Sequence, residues 1–284
     1  MLIYSNTKIN LGLFVTGKRS DGFHNLESVF YPVGWNDALE IEVNPSQISK
    51  VELVEYTAHA TNTPEKNLCV KAYCLMDARF DLPPVKIHLY KTIPTGAGLG
   101  GGSSNASCTL KALNAKFNLN LSSLQLQEFS AQLGSDCPFF IENRPAYVTG
   151  RGENIQPIEL DLSGYCIAIM HPGIHLPTAD AFKLITPQSI NFDLPLKLAS
   201  TPVYEWKHFL ENGFEKPVFE KHPEIKTLKE NMYLHGALYA SMSGSGSAVY
   251  GIFEKYEQAE RAINSFTNYK SKLVLAREHL VQFL

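Results

Sequence analysis

Two kinds of apolar pattern alternate along the 284-residue chain. Short runs rich in β-branched and aromatic residues predict β-strands at residues 39–43, 85–90, 165–170, 248–253 and 272–276. Between these runs, apolar residues recur every three or four positions, which predicts helices. The helical repeats are Leu68/Ala72/Leu75, Leu110/Leu113/Phe117, Leu126/Phe129/Leu133, Ile225/Leu228/Met232 and Tyr256/Ala259/Ile263/Phe266. The alternation indicates a fold that mixes α and β elements.

Length and composition narrow the organisation of the chain. At 284 residues it fits two domains or one large α/β unit. Turn residues at 155–163 precede a fresh apolar strand, so we expect two domains, 1–158 and 159–284. A net charge of −3 and the lack of any apolar run approaching about 18 residues indicate neither a nucleic-acid partner nor a membrane span. Five scattered cysteines favour free thiols in the cytoplasm.

The most unusual stretch is IPTGAGLGGGSSNAS, residues 93–107, which places five glycines within seven positions. It joins the predicted strand 85–90 to a predicted helix over 104–117 and so delivers the chain to a helix N-terminus. There the first amides lack partners and the helix dipole favours an anion, while glycine permits close approach to the backbone. The stretch therefore predicts a phosphate-binding loop. Ser103 or Ser104 is expected to cap the helix or to contact a phosphate or Mg²⁺.

Familiar nucleotide-binding motifs do not account for this loop. Gly96, Gly98 and Gly101 match G-x-G-x-x-G, but no second strand ending in an acidic residue follows about 20 residues later, as a dinucleotide-binding fold requires. The G-K-[ST] ending of a Walker loop is absent, as are the H-R-D and D-F-G motifs of protein kinases. A flexible linker is disfavoured because strong strand and helix signals flank the stretch. The loop therefore belongs to another kind of phosphate-binding protein.

Two charged residues are candidates for the chemistry. Asp136 follows a predicted helix and precedes a Cys-Pro pair that prevents the helix from continuing. From its surroundings alone it is either a turn-forming residue or an acid placed for proton transfer. Lys8 and Asn10 lie two apart in a predicted strand and so point to one face. That spacing fits either a surface alternation or contacts to a phosphoryl group. Cys137 is expected to be a packed small residue.

Three motifs in order resemble those of the GHMP kinases, the superfamily of galactokinase, homoserine kinase, mevalonate kinase and phosphomevalonate kinase. They are TKINLGL (7–13), PTGAGLGGGSS (94–104) and SMSGSGSAVYGIF (241–253). Four further segments resemble the branch of that superfamily whose alcohol substrate carries cytidine diphosphate. These segments are GKRSDGFHNLESVF (17–30), LGSDCPFF (133–140), GRGE (150–153) and PTADAF (177–182). The resemblance extends over nearly the full length of the chain.

The resemblance implies an α+β fold of two domains with the active site in the cleft between them. The N-terminal domain would be ribosomal protein S5 domain 2-like and the C-terminal domain ferredoxin-like. The implied reaction moves the γ-phosphoryl group of ATP to the tertiary C2 hydroxyl of a cytidyl diphosphate-linked methylerythritol, in the non-mevalonate route to isoprenoids. ATP would bring Mg²⁺ with it, and no metal would be held by the protein itself. The implied protein is a cytoplasmic monomer or weak homodimer whose partner is this small molecule.

The resemblance also assigns roles residue by residue. It implies a catalytic pair, Lys8 and Asp136. The residues implied to bind ATP are Asn67, Lys91, Pro94, Gly96, Gly98, Leu99, Gly100, Gly101, Gly102, Ser103 and Ser104. The residues implied to bind the second substrate are Asn10, Phe23, His24, Thr178, Phe182 and Gly244. Phe23 stands where the family usually has tyrosine, which removes a hydroxyl and keeps the ring. Arg151 and Glu153 are expected to form a structural hairpin outside the site.

Two other functions remain open from the sequence. Another GHMP kinase, of the homoserine or mevalonate type, would share the glycine loop. It would not need the R-x-D-G-F-H and T-x-x-x-F segments, which the resemblance places around a pyrimidine. A catalytically inactive nucleotide-binding regulator would be expected to have lost Lys8 or Asp136, and this chain keeps both.

Overall fold

The computed structural model describes residues 1–45, 49–57, 63–183 and 185–276, which form two sheets covered by helices. The strands are β1 Leu2–Lys18, β2 His24–Val43, β3 Val51–Tyr56, β4 Val85–Tyr90, β5 Ala146–Gly150, β6 Asn154–Pro157, β7 Cys166–His171, β8 Tyr239–Met242, β9 Val249–Phe253 and β10 Lys270–Leu275. The α-helices are α1 Leu68–Phe80, α2 Gly101–Lys116, α3 Ser123–Ala131, α4 Phe139–Glu142, α5 Thr178–Phe182, α6 Leu194–Ser200, α7 Glu215–Lys221, α8 Pro223–Leu234 and α9 Tyr256–Asn264. Short 3-10 helices lie at Pro64–Lys66 and Val203–His208. Within these ranges, no helix combines the length and apolar character that a bilayer crossing requires.

The first sheet has the order β3-β4-β2-β5-β6, and β1 pairs with β2. Its central feature is the long antiparallel pair of β1 and β2, which is irregular at three places along the register. The sequence predicts only the last residues of β2, at 39–43. Pro32 and Gly34 lie within the strand, and residues of these types weaken a strand pattern because they are normally found at turns and edges. The pair carries Lys8 and Asn10 into the interior of the molecule.

The second sheet has the order β10-β7-β9-β8 with antiparallel neighbours throughout. Helices α5 to α8 lie between β7 and β8 in the chain, and α9 lies between β9 and β10. Numbered from β7, the strands therefore have the order 4-1-3-2. This is a ferredoxin-like sheet, as the resemblance implies. The predicted strands at 165–170, 248–253 and 272–276 are confirmed to within one or two residues.

Two of the hydrophobic cores position the elements around the site. Helices α1 and α2 pack on one face of the first sheet around Tyr73, Ile87 and Leu113. A second core joins the two sheets and contains Trp35 of the first sheet and Tyr250 of the second. Because apolar burial is the main favourable term in folding, this shared core fixes the two halves against each other. It places the start of α2, the middle of β1 and the turn between β8 and β9 side by side.

Candidate active site

The glycine-rich segment runs from the end of β4 to the start of α2. Gly96, Gly98 and Gly100 have φ of +69°, +78° and +71°, a region that side chains of L-residues disfavour. Helix α2 begins at Gly101, and Ser104 is the first residue whose amide bonds back to a carbonyl, that of Gly100, at 2.9 Å. The amides of residues 101–103 therefore remain as donors at the helix start. This geometry suits an anion.

The predicted capping role of Ser103 or Ser104 is wrong. The helix begins three residues earlier than expected, and its N-cap is Gly100 in the left-handed conformation, without a side-chain capping bond. Ser103 and Ser104 are thus the third and fourth residues of α2. The start of α2 is difficult to predict here, because glycine is more typical of the residue after a helix end than of a helix start.

A second glycine segment, residues 243–246 between β8 and β9, packs directly on the first. A Cβ added at Gly98 would lie 2.0 Å from the carbonyl oxygen of Ser243, and one at Gly244 would lie 2.9 Å from the carbonyl oxygen of Gly98. The Ser243 hydroxyl donates to Gly98 O at 2.9 Å, and Ala248 N donates to Ala97 O at 3.1 Å. The two segments therefore form one backbone surface.

Lys8 and Asp136 meet beside this surface. The ammonium Nζ of Lys8 lies 3.6 Å from Oδ2 of Asp136, and the side chains are 4% and 31% exposed. Lys8 N also donates to Leu99 O at 3.0 Å, which ties β1 to the glycine segment. Burial lowers the pKa of Lys8, and the neighbouring Asp136 carboxylate offsets part of that lowering. The pair thus presents a desolvated cation beside a carboxylate that a substrate hydroxyl can reach.

The turn that carries Asp136 is fixed onto α2. Ser107 donates its hydroxyl hydrogen to the carbonyl of Cys137 at 2.7 Å, and Cys137 N donates to Gly134 O at 3.1 Å. The Cys137 side chain is fully buried, and burial raises the pKa of its thiol to about 12. It is therefore an inert packed residue next to Asp136, as predicted, and all five cysteines are free.

The residues predicted to bind the pyrimidine lie around the end of the β1–β2 hairpin. The rings of His24 and Phe182 stack with centroids 5.1 Å apart and an interplanar angle of 20°. Phe23 is 54% exposed and stands at the adjacent turn. Thr178, at the start of the same helix as Phe182, lies 3.2 Å from Ser245 through their hydroxyl oxygens. An exposed ring beside a stacked aromatic pair can accept a flat nucleobase.

The structure brings Arg151 to this group, although the sequence places it outside the site. The β5–β6 turn is the expected hairpin, and the Arg151 guanidinium lies over the Phe23 ring at 4.9 Å. In the same turn, a Cβ added at Gly152 would lie 3.6 Å from Oδ1 of Asp136. The turn therefore touches both ends of the candidate site. The GRGE segment is part of the resemblance, which is the signal that could have identified it.

Asn67 and Lys91 occupy structural positions next to the glycine segment. Asn67 caps α1 by accepting from Cys69 N at 2.9 Å and donates to Glu55 at 2.7 Å. Lys91 forms an ion pair with the fully buried Asp37. Sequence reasoning missed Asp37, because a single aspartate in front of an apolar run carries no spacing signal. Its carboxylate also accepts from the amides of Thr92 and Ile93 at 2.7 and 2.9 Å, and from Asn105 at 3.0 Å.

The donors at the site suit a hard cation bound through phosphates. Across the described part of the chain, no group of three or more His, Cys, Asp or Glu side chains could hold a metal ion. The partly exposed oxygen donors are the carboxylate of Asp136 and the hydroxyl of Ser103, whereas the hydroxyl of Ser104 is fully buried. Such a set does not form a cage for a transition metal. It fits Mg²⁺ that keeps several waters and enters with a nucleotide.

Comparison with known proteins agrees with this geometry. Profiles of the GHMP kinases N terminal domain and of the GHMP kinases C terminal match residues 67–144 and 203–272. A 4-diphosphocytidyl-2-C-methyl-D-erythritol kinase of Bacteroides thetaiotaomicron is 51% identical over 254 residues, which cover 89% of this chain and 92% of the relative. A kinase of the same name from Cytophaga hutchinsonii is 47% identical over 257 residues, which cover 89% and 92% of the two chains.

Solved structures give the same result. A crystal structure of 4-(cytidine 5'-diphospho)-2C-methyl-D-erythritol kinase superposes with a TM-score of 0.79 at 31% identity, covering 96% of this chain and 98% of that one. Homoserine kinase from Cytophaga hutchinsonii has a TM-score of 0.68 at 16% identity, with 100% and 95% coverage, and shares the fold. Both profile matches and the long, high-identity alignments agree with the three sequence motifs. This chain therefore belongs to the GHMP kinase family and, within it, to the branch of the 4-diphosphocytidyl-2-C-methyl-D-erythritol kinases.

Proposed function

We propose that this chain transfers the γ-phosphoryl group of ATP to the tertiary C2 hydroxyl of 4-diphosphocytidyl-2-C-methyl-D-erythritol. One observation carries the proposal: the 3.6 Å pair of Lys8 and Asp136 lies beside the start of α2 and the two packed glycine segments. A kinase needs such a combination, because phosphoryl transfer depends mainly on positioning and charge stabilisation. The relatives that carry this substrate in their names match the chain over about nine tenths of its length.

The phosphate chain of ATP would lie against the glycine segment. The free amides of residues 101–103 and the dipole of α2 would bind its oxygens, and the glycines would let it approach the backbone. Asp136 would accept or orient the proton of the attacking hydroxyl, which its partial exposure permits. Lys8 would stabilise negative charge on the transferred group and keep the hydroxyl in line. Asn67 and Lys91 would lie on the adenine side.

The second substrate would place its cytosine among Phe23, His24 and Phe182. Stacking on aromatic faces holds a base without hydrogen-bond geometry, and the histidine ring offers polar atoms for the edge of the base. Thr178 contacts Ser245, and the neighbouring Gly244 is linked to Lys8 through Asn10, so the diphosphate and the erythritol would pass along this segment. This arrangement supports a cytidyl substrate over a small free alcohol.

Phosphoryl transfer from ATP would also require Mg²⁺. Bound with ATP, it would supply positive charge that stabilises the negative charge developing during transfer. The Ser103 hydroxyl and the Asp136 carboxylate, which are both partly exposed, are the oxygen donors that would hold it. We also propose that the two domains divide after residue 158, between β6 and β7, and that a monomer or weak homodimer suffices.

The test is ADP release from Mg-ATP with a panel of acceptors. The panel contains 4-diphosphocytidyl-2-C-methyl-D-erythritol, homoserine, mevalonate and galactose, each at the same concentration. The proposal expects turnover with the cytidyl compound alone. Turnover with another alcohol would preserve the phosphate site and overturn the pyrimidine site. Binding of ATP without turnover of any acceptor would favour an inactive nucleotide-binding protein and overturn the proposal.

A further inference from the structure

Asn10 connects the catalytic lysine to the second glycine segment. Its side chain is buried, and Oδ1 accepts from Lys8 Nζ at 2.6 Å and from Gly244 N at 2.9 Å. Its Nδ2 donates to the Ser28 hydroxyl oxygen at 2.9 Å. These hydrogen bonds of the Asn10 amide are all to groups of the protein, although the resemblance assigns Asn10 to substrate contact. The Asn10 side chain therefore links Lys8 to the second glycine segment.

The orientation of this amide follows from groups that have a single role. An ammonium and a peptide N–H only donate, so the atom that faces Lys8 and Gly244 must be the oxygen. A carbonyl only accepts, so the Ser28 hydroxyl hydrogen is committed to Gly12 O, which lies 2.6 Å away. The Ser28 oxygen is then left to accept from Nδ2 of Asn10. Ser28 thus fixes the position of Nδ2, the nitrogen end of the Asn10 amide.

We propose that Ser28 is a positioning residue for phosphoryl transfer, which acts by holding Oδ1 of Asn10 toward Lys8 and Gly244. The proposal rests on the proposed function, because that function assigns Lys8 and the second glycine segment to the reaction. Ser28 is fully buried on β2 and stands opposite Leu13 in the strand register, so it works through Asn10 and not through the substrate. Without its oxygen, Nδ2 would be buried without an acceptor, and any movement of the amide to find one would weaken the bonds of Oδ1 to Lys8 and Gly244.

The remaining contacts of Asn10 do not hold the Nδ2 end of its amide. Tyr250 donates its hydroxyl hydrogen to Asn10 O at 2.6 Å, which ties β1 to β9. Ser243 stands 3.4 Å from Oδ1, but its hydroxyl has a closer acceptor in Gly98 O at 2.9 Å. Among the contacts of Nδ2, the Ser28 oxygen is the acceptor that the structure provides. The Ser28 hydroxyl therefore holds the Nδ2 end of the amide, while Lys8 and Gly244 hold its Oδ1 end.

The matched pair Ser28→Thr and Ser28→Val tests this dependence. The two side chains have nearly the same shape, so they share any steric cost, and only threonine keeps the hydroxyl. We expect kcat of the valine variant to lie about 10- to 100-fold below that of the threonine variant, with similar KM for ATP, since a lost orientation acts on the transfer step. Ser130→Ala is the control for loss of a buried hydroxyl, because Ser130 donates within its own helical segment, to Gln127 O.

Hydrogen exchange at the Gly244 amide provides a readout that does not need turnover. That amide donates to Asn10 Oδ1, so its exchange should be faster in Ser28→Val than in Ser28→Thr, and unchanged in Ser130→Ala. Equal kcat and equal exchange in the threonine and valine variants would overturn the proposal, whether both are active or both are impaired. If the cytidyl substrate is not turned over by the parent protein, the proposed function fails, and the exchange comparison still decides the role of Ser28.

Discussion

Gly98 and Gly244 lie backbone against backbone, with 2.9 Å between Gly98 O and the position that a Cβ of Gly244 would take. Real Cβ atoms essentially never approach a non-bonded atom within 3.0 Å, so neither residue can carry a side chain without displacing the backbone of the opposite segment. The contact makes the two glycine segments one unit across the two halves of the chain. Anything that separates them also displaces Lys8, whose amide bonds to Leu99 O.

Gly98→Ala is expected to weaken ATP binding by about 100-fold or more, because a displacement near 1 Å is enough to lose such a site. Its φ of +78° costs about 1–3 kcal/mol for alanine, and the clash with Ser243 O adds to that cost. Calorimetric titration with ATP and urea unfolding measure the two effects. Gly164→Ala is the control, since Gly164 has φ of +97° and nothing within 4 Å. Equal losses in both variants would show that backbone strain, and not the loop contact, is responsible.

Asp37→Ala is expected to destabilise the protein by about 3 kcal/mol, because it leaves the largely covered Lys91 without its partner and removes the acceptor for the amides of Thr92 and Ile93. The loss should be visible as a lower free energy of unfolding in urea. Glu230→Ala, which breaks the exposed 3.5 Å pair with Lys226, should cost less than about 1 kcal/mol. If the two substitutions cost the same, the Asp37 carboxylate does not anchor the glycine segment.

Phe182→Leu is expected to raise KM for the cytidyl substrate by about 10-fold or more, since base stacking contributes about 1–3 kcal/mol. KM for ATP should stay close to its original value, because the rings that Phe182 contacts are those of His24 and Phe214. Steady-state kinetics with each substrate varied in turn measures both values. Phe80→Leu, at the end of α1, removes a ring that contacts Phe129 and serves as the control. A similar rise in both Michaelis constants would remove Phe182 from the pyrimidine site.

His171 should make stability fall in mild acid. Burial, and next the positive charge of Lys270, lowers its pKa from 6.5 to about 4. Between these pH values the unfolded chain binds a proton that the folded protein does not, so the free energy of unfolding falls as pH drops. The total effect approaches about 3 kcal/mol. Urea unfolding of the parent and of His171→Gln at pH 7 and pH 4.5 measures it. The variant should lose less stability over this interval, and an equal loss would contradict the assignment.

Periodic segments could be predicted from the sequence, and long-range pairings could not. The repeats beginning at Leu68 and Leu110 mark helices because packing against one face imposes their spacing. The position of Ser28 opposite Leu13 depends on a strand register with bulges, which no local pattern encodes. Gly34 weakens the strand pattern within β2 for the same reason that it is common in turns. The sheet context overrides these local preferences.

The candidate site shows the same division. Lys8, Asp136 and the glycine segment lie in motifs, so the resemblance identifies them before any geometry is known. Asp37 and Arg151 act through partners distant in the chain, Lys91 and Phe23, and become visible in the folded structure. The helix start at Gly101 escaped prediction because its cap is a left-handed glycine and not a serine. Residues that position others are thus the part of the site that sequence reasoning misses.

Lys8 and Asp136 are proposed to act together on the transferred phosphoryl group. The most direct measurement is single-turnover transfer from Mg-ATP to 4-diphosphocytidyl-2-C-methyl-D-erythritol by the parent, Asp136→Asn, Lys8→Met and the double variant. Each single variant is expected to lose about 10²- to 10⁴-fold in the transfer rate, with ATP still bound. The double variant should lose little more than the worse single one, because the two groups form a unit. A transfer rate for Asp136→Asn within about threefold of the parent rate would contradict the account, since a positioned acid or base contributes far more than that.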